Sequence, residues 1–290
     1  MDSITHTLLG LATYGAVKKD NMSTKTKKSL LFAAVAGSQI PDIDFLLRFT
    51  KIGSVMYQMW HRGLSHSIFM APLWAFLIYF ICSRICKTKD KRIFYLALIN
   101  VFIHIGSDSL NAWGTGLLEP FSSLRISLGY IPIVDFVIWT ILLTGFILTK
   151  VKKTYPKHKI WRIVWVMILV HVTVQGIQGH IIHQEATAYY EKSALSAQFI
   201  PWHFSVVGKN EEIFDIYNKT IWSDKKISNT LYSKENADLQ PLFERNPRAA
   251  VLMQWAPFVV VVEDDEKLGI YDPRFYRRGQ SFLFQYINKT

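Results

Sequence analysis

Long apolar stretches dominate the first 183 residues of the chain. Four of them approach or reach the roughly 20 residues that a helix needs to cross the hydrocarbon core of a bilayer. They are residues 67–86, 93–110, 126–149 and 160–183. Two shorter stretches, 4–17 and 29–49, precede them, and each is a span, a half-span or an interfacial helix. This pattern predicts a membrane-embedded helical domain over residues 1–188.

The pattern changes near residue 189 to a mixed polar sequence with short β-type runs. The clearest runs are 258–262 and 281–287, and Gly, Pro, Asn and Asp separate such runs. We therefore expect a small strand-rich domain over residues 189–290, outside the membrane. The predicted fold class is mainly α, a polytopic transmembrane helical bundle followed by a small β-rich extramembrane domain.

The charge supports this membrane interpretation. The chain has a formal net charge of +11 and a pI near 9.5, values often found in nucleic-acid-binding proteins, yet half of its residues are apolar. Fifteen basic residues fall in three segments between the apolar stretches, 18–28, 84–92 and 150–159. Cytoplasmic loops of membrane proteins collect Lys and Arg in this way. We predict a multi-pass protein of the cell (inner or plasma) membrane, with the lipid bilayer and no nucleic acid as its partner.

The same topology gathers the acidic and imidazole side chains at one face. If all six stretches cross, the N-terminus and the region after residue 183 are extracytoplasmic. Carboxylates and imidazoles then lie together at or near that face: Asp2, Asp42, Asp44, Asp108, Glu119, Asp135, His6, His61, His66 and His104. The two cysteines, Cys82 and Cys86, stand one helical turn apart in an apolar stretch, which excludes a disulfide framework and predicts core residues.

Two His/Asp pairs have the spacing of one helix face. His104 and Asp108 are four residues apart in an apolar helix, as are Asp2 and His6 at the N-terminus. Ionisable groups at membrane depth need partners. One imidazole and one carboxylate on the same face suit a metal ion, and a His–Asp hydrogen bond between helices is an equally good interpretation of the His104/Asp108 pair.

Two further motifs carry candidate ligands. In the segment 61–67, His61 and His66 converge if Gly63 lets the chain turn before a helix that begins near Ser65; Arg62 between them can hold an anionic substrate oxygen. An interfacial turn is the alternative. The Pro-Asp-Ile-Asp segment 41–44 breaks an apolar stretch with two carboxylates, more than helix capping requires.

Taken together, these groups exceed what one metal ion needs, so a site with more than one ion is plausible. The chemistry of such a site would be hydrolysis, because bound cations lower the pKa of water and neutralise charge on a phosphoryl group. The candidate metal ligands are Asp2, His6, Asp42, Asp44, His61, His66, His104, Asp108 and Asp135. His171, in the middle of the last apolar stretch, is expected to be a core residue.

The order of these motifs resembles the YdjM-type family of membrane-bound metal-dependent hydrolases. The matching segments are 1–6 with Gly10, 41–44, 61–67 and 104–108, and the likeness extends to about residue 145. Ser65 stands where Thr is expected in many relatives. The resemblance implies a helical, membrane-embedded metal site built from these positions. It extends more distantly to the all-helical zinc phospholipase C and P1-nuclease group, which suggests phosphoester bonds, including those of phospholipids.

We accordingly expect a hydrolase that holds one or more divalent ions, with Zn²⁺ as the favoured metal, at the extracytoplasmic face. Asp44 and Asp108 are the candidate general bases, and Arg62 would hold the anionic substrate. The main alternative is a non-enzymatic membrane protein with a structural metal site and a partner-binding outer domain. A divalent-ion transporter ranks third, because the cytoplasmic halves of the stretches contain few polar residues. The sequence does not specify the oligomeric state.

Overall fold

The computed structural model describes residues 1–289. The chain divides into two compact units. The first unit comprises residues 1–43, 62–127 and 131–176, and the second comprises residues 44–61, 128–130 and 177–289.

Nine α-helices and three 3₁₀ helices form the helical part among the described residues. The α-helices are α1 (Ser3–Ala16), α2 (Thr24–Gly37), α3 (Lys51–Trp60), α4 (Met70–Ile85), α5 (Lys91–Ser109), α6 (Phe136–Val151), α7 (Lys157–Thr187), α8 (Gln240–Arg245) and α9 (Pro247–Trp255). The 3₁₀ helices are Ile40–Phe49, Leu64–His66 and Pro273–Phe275.

Small residues allow close helix packing in the first unit. α2 packs against α1, α4 and α5, and a Cβ added at Gly10 of α1 would lie 2.8 Å from the carbonyl oxygen of Ala34 in α2. Ala33, Ala97 and Cys82 are buried in one hydrophobic cluster that α2, α4 and α5 form. Backbones approach this closely only where side chains are small. The core role predicted for Cys82 is confirmed, and Cys86 is partly buried.

The strands of the second unit pair as antiparallel sheets, as the sequence pattern predicts. Strands β1 to β4 form a meander in sequential order, and β5, β6 and β9 form a second sheet. Phe204 and Phe214 are fully buried in the meander. The strands are β1 (Lys192–Ala197), β2 (Phe204–Asn210), β3 (Ile213–Lys219), β4 (Lys226–Tyr232), β5 (Val260–Glu263), β6 (Lys267–Tyr271), β7 (Tyr276–Arg277), β8 (Gln280–Ser281) and β9 (Gln285–Asn288).

The helices support fewer membrane crossings than the apolar stretches predict. By length and composition, α7 is the one unbroken helix within residues 1–289 that can cross a bilayer. Two bent pairs would each qualify as a broken span: α2 with Ile40–Phe49, and the segment Lys51–His66 with α4. The described residues therefore contain one to three candidate crossings. α6, with 16 residues, is a shorter apolar helix.

Candidate metal centre

Helix α5 carries the two most deeply buried ligand candidates. His104 and Asp108 lie one turn apart on its inner face, and both are excluded from solvent. The Nδ1 atom of His104 lies 2.8 Å from the backbone oxygen of Ser38. A carbonyl oxygen only accepts hydrogen bonds, so Nδ1 carries the proton and Nε2 presents its lone pair to the site.

His66 reaches the same point from a short 3₁₀ turn. This turn covers Leu64–His66 and α4 begins only at Met70, so the helix start predicted near Ser65 is wrong. The left-handed residue of the turn is Arg62, with φ +61°, rather than Gly63. The Ser65 hydroxyl lies 2.9 Å from Nδ1 of His66. This contact and full burial of the ring direct Nε2 of His66 toward His104.

Asp42, His66, His104 and Asp108 form a compact quartet in the first unit. Nε2 of His66 lies 3.1 Å from Nε2 of His104 and 3.3 Å from a carboxylate oxygen of Asp42. The distances from Asp42 to His104 and from His66 to Asp108 are both 3.5 Å, and Asp108 lies 3.7 Å from His104. All four ligand atoms fall within 4.8 Å of one another.

These distances fit a tetrahedral cation. Bonds of about 2.0 to 2.1 Å from Zn²⁺ to its ligands place tetrahedral donor atoms about 3.3 Å apart. The five measured separations of 3.1 to 3.7 Å bracket that value. Two imidazoles and two carboxylates are also a donor set that borderline divalent metals accept. The buried His/Asp quartet can thus hold a metal ion.

Several polar groups surround the Asp108 carboxylate. Arg62 Nε lies 3.1 Å from one of its oxygens, and His6 Nε2 lies 3.3 Å from the other. The N-terminal amino group of Met1 also contacts it. The guanidinium of Arg62 donates a further hydrogen bond of 2.8 Å to the side-chain oxygen of Asn111. Asp108 therefore connects the quartet to a buried cationic group.

His6 remains a ligand candidate at the edge of this quartet. Its ring is 1% exposed and stacks on the ring of His104 with 3.7 Å between centroids. Neither ring nitrogen of His6 makes a hydrogen bond. A buried imidazole without hydrogen bonds is unfavourable unless another group, such as a cation, satisfies it.

Two predicted ligands have other roles. Asp2 caps α1 by accepting a hydrogen bond from the backbone N–H of Thr5. Asp135 caps α6 through the N–H groups of Val137 and Ile138, and its second oxygen lies 2.9 Å from His171 Nε2. The structure places neither Asp2 nor Asp135 in the quartet. His171 is buried, as expected for a core residue, and pairs with Asp135.

Asp44 and His61 belong to the second unit and pair with each other. The distance from Nδ1 of His61 to the nearer oxygen of Asp44 is 2.9 Å. Asp42 and Asp44 lie in one 3₁₀ helix, which has about 3.0 residues per turn. Asp44 and His61 stay predicted ligands outside the quartet.

Three groups around the quartet could not be predicted from the sequence motifs. The Ser38 carbonyl and the Met1 amino group carry no side-chain signal that a motif would show. Asn111 is 1% exposed, and an Asn three residues after Asp108 is the one available sequence signal. Glu119 lies outside the ligand set; its carboxylate is 3.6 Å from Arg125, and burial raises its pKa.

Comparisons with known proteins agree with the motifs. Residues 1–182 match the family described as YdjM inner membrane protein. The uncharacterized protein YfhP of Bacillus subtilis (strain 168) is 32% identical over 139 residues, which are 47% of this chain and 42% of that relative. The matched region is thus less than half of that relative's length. No solved structure matches the chain. Because the family match covers more than half of its residues, the chain belongs to the YdjM inner membrane protein family.

Proposed function

We propose that this protein is a membrane-bound metal-dependent hydrolase that acts on a phosphoester or lipid-derived substrate. The observation that carries the proposal is the buried quartet of Asp42, His66, His104 and Asp108, whose donor atoms have the spacing of a tetrahedral metal site. The family description adds the membrane setting.

The residues around the quartet suit hydrolysis of an anionic ester. When bound, a divalent cation such as Zn²⁺ would supply an activated water and neutralise charge on the scissile group. A carboxylate outside the ligand set would accept the proton from the attacking water, while Arg62 holds the Asp108 carboxylate in position. Arg62 would in turn bind an anionic oxygen of the substrate through its planar fork of donors.

Exposure indicates where a substrate would approach. The side chain of Asp42 is 20% exposed, whereas those of His66, His104 and Asp108 are fully buried. We therefore expect the substrate to approach the quartet from the side of Asp42. The distribution of Lys and Arg supports an extracytoplasmic location for this site and for the strand-rich domain, in a multi-pass arrangement.

The test is metal content and hydrolysis in the purified full-length protein. We expect about one Zn²⁺ per chain, lost in both His104→Ala and Asp108→Ala and kept in the control His180→Ala, whose side chain is exposed. Wild type should hydrolyse a chromogenic phosphodiester, and Arg62→Lys should keep the metal while losing most of this activity. Full metal occupancy in both quartet variants would overturn the proposal.

A structural metal site is the second candidate function. It is favoured by the presence of four protein donors, since closed four-ligand zinc sites are usually structural and catalytic ones keep an open position. Cobalt substitution separates the two functions. If inorganic phosphate changes the visible spectrum of the Co²⁺ protein, the ion has an open position. An unchanged spectrum together with no hydrolysis would assign the ion a structural role.

A further inference from the structure

An apolar groove lies between α6 and α7 in the first unit. The two helices touch where Gly145 of α6 meets Val164 of α7, and a Cβ at Gly145 would overlap the Val164 side chain. Beside this contact the helices leave a groove of about 600 Å³. Ile141, Leu148 and Met167 are among the side chains that line it. Its volume lies within the roughly 300 to 1,000 Å³ of small-molecule sites.

The groove lies on the helix that is best suited to cross the bilayer. α7 is the unbroken crossing candidate, and its side chains Ile163 and Met167 line the groove while remaining at least half exposed. Leaving such apolar surface in water would be unfavourable. At membrane depth, hydrocarbon chains would cover this surface.

One end of the groove is basic. Lys152 and Tyr155 line it there, in the connection between α6 and α7. Residues 150–159 contain five lysines and no acidic residue. Within residues 1–289 none of these lysines forms an ion pair, and Lys150 lies over the ring of Phe146. Basic clusters next to a membrane helix attract anionic lipid headgroups.

We propose that the α6/α7 groove binds an anionic phospholipid of the bilayer. One acyl chain lies along Ile141, Gly145 and Met167, and the phosphate lies at Lys152, with the Tyr155 hydroxyl as a further donor. A zwitterionic lipid offers the same chain with no net negative charge, so the lysine cluster selects the anionic form. This site is separate from the metal quartet and does not depend on hydrolysis.

The experiment is lipid retention by the purified full-length protein, measured by native mass spectrometry. The probes are phosphatidylglycerol and phosphatidylcholine with identical acyl chains. Wild type should retain phosphatidylglycerol several-fold more than phosphatidylcholine. Thr144→Trp, which fills the groove from an exposed position, should lower retention of both lipids several-fold. Lys152→Gln should remove the preference for phosphatidylglycerol, so that both lipids are retained at the level of phosphatidylcholine.

Matched controls keep the result specific. Leu73→Trp adds the same ring to an exposed apolar position on α4, and Lys25→Gln removes an exposed lysine from another basic segment. Both should retain lipid as wild type does. Equal retention by wild type, Thr144→Trp and Lys152→Gln would overturn the proposal. So would a dimer that Thr144→Trp dissociates, because a second copy of the chain would then occupy the groove.

Discussion

At the scale of single residues, similar His/Asp spacings lead to different roles. His104 and Asp108 are four residues apart and both join the quartet. Asp2 and His6 have the same spacing, yet Asp2 is used as a helix cap while the His6 ring packs on His104. The difference arises because Asp2 lies just before the first turn of α1, where unpaired backbone N–H groups attract a carboxylate.

Asp135 provides the sharpest test at this scale. Asp135→Ala removes the cap of α6 and leaves buried His171 without its carboxylate partner. We expect the free energy of unfolding to fall by about 1.5 to 5 kcal/mol, from about 0.5 to 2 for the cap and about 1 to 3 for the orphaned group. Thermal unfolding in detergent measures this as a lower midpoint. Metal content, measured on the same sample below the unfolding midpoint, should stay at the wild-type level.

The control for this substitution is Asp90→Ala. Asp90 caps α5 through the N–H of Arg92, also pairs with the Arg92 side chain, and has no buried histidine partner. Asp90→Ala should therefore lower the free energy of unfolding by less than Asp135→Ala does. If folded Asp135→Ala lost its metal, Asp135 would have to be counted among the ligands.

At the scale of elements, glycine contacts determine how closely the helices can pack. Gly10 of α1 lies against the Ala34 carbonyl and the Ser38 side chain, whereas Gly106 of α5 has open space around it. The first position is a helix contact and the second is not. The backbone oxygen of Ser38 also accepts a hydrogen bond from Nδ1 of His104. The α1/α2 contact therefore helps to position this ligand of the quartet.

Substitution by alanine at these two glycines should have opposite effects. Gly106→Ala should raise the free energy of unfolding by up to about 1 kcal/mol, because alanine favours the helix. Gly10→Ala places a Cβ 2.7 Å from Ser38 Oγ and 2.8 Å from the Ala34 oxygen. We therefore expect this substitution to lower the free energy of unfolding by about 1 to 3 kcal/mol and to weaken metal binding. Thermal unfolding and metal titration measure both effects. Equal stabilisation by the two substitutions would show that α1 and α2 are not in contact there.

At the scale of the whole molecule, the ligands come from separate parts of the chain. The quartet combines the 3₁₀ helix Ile40–Phe49, the turn Leu64–His66 and α5. A cation bound to all three would stabilise the folded state, since it binds that state and not the unfolded chain. Stability should consequently depend on metal concentration.

This linkage predicts a metal-dependent unfolding midpoint. At free Zn²⁺ about 100 times its Kd, wild type should gain about 2.7 kcal/mol over the chelator-treated protein. His66→Ala should show a much smaller gain, and His180→Ala should behave as wild type. Differential scanning fluorimetry of detergent-purified protein provides the measurement. A wild-type midpoint unaffected by either Zn²⁺ or chelator would contradict a bound ion.

The sequence by itself determined the features that depend on local periodicity and composition. A helical part followed by an antiparallel sheet part follows from the apolar stretches and β-type runs, and the family follows from the order of its motifs. The His104/Asp108 pair was predictable because residues four apart share a helix face. The burial of Cys82 was predictable for a similar reason, since it lies within an apolar helix.

Only the tertiary structure decided which of these groups meet. Asp42, His66 and Asp108 come from segments far apart in the chain, and their approach depends on the 3₁₀ turn at Leu64–His66 and the close packing of α1, α2 and α5. Periodicity could not separate Asp42 from Asp135, because capping and ligation use the same carboxylate. The number of unbroken crossing candidates was also decided by the fold, because hydropathy does not detect the bends that interrupt an apolar stretch.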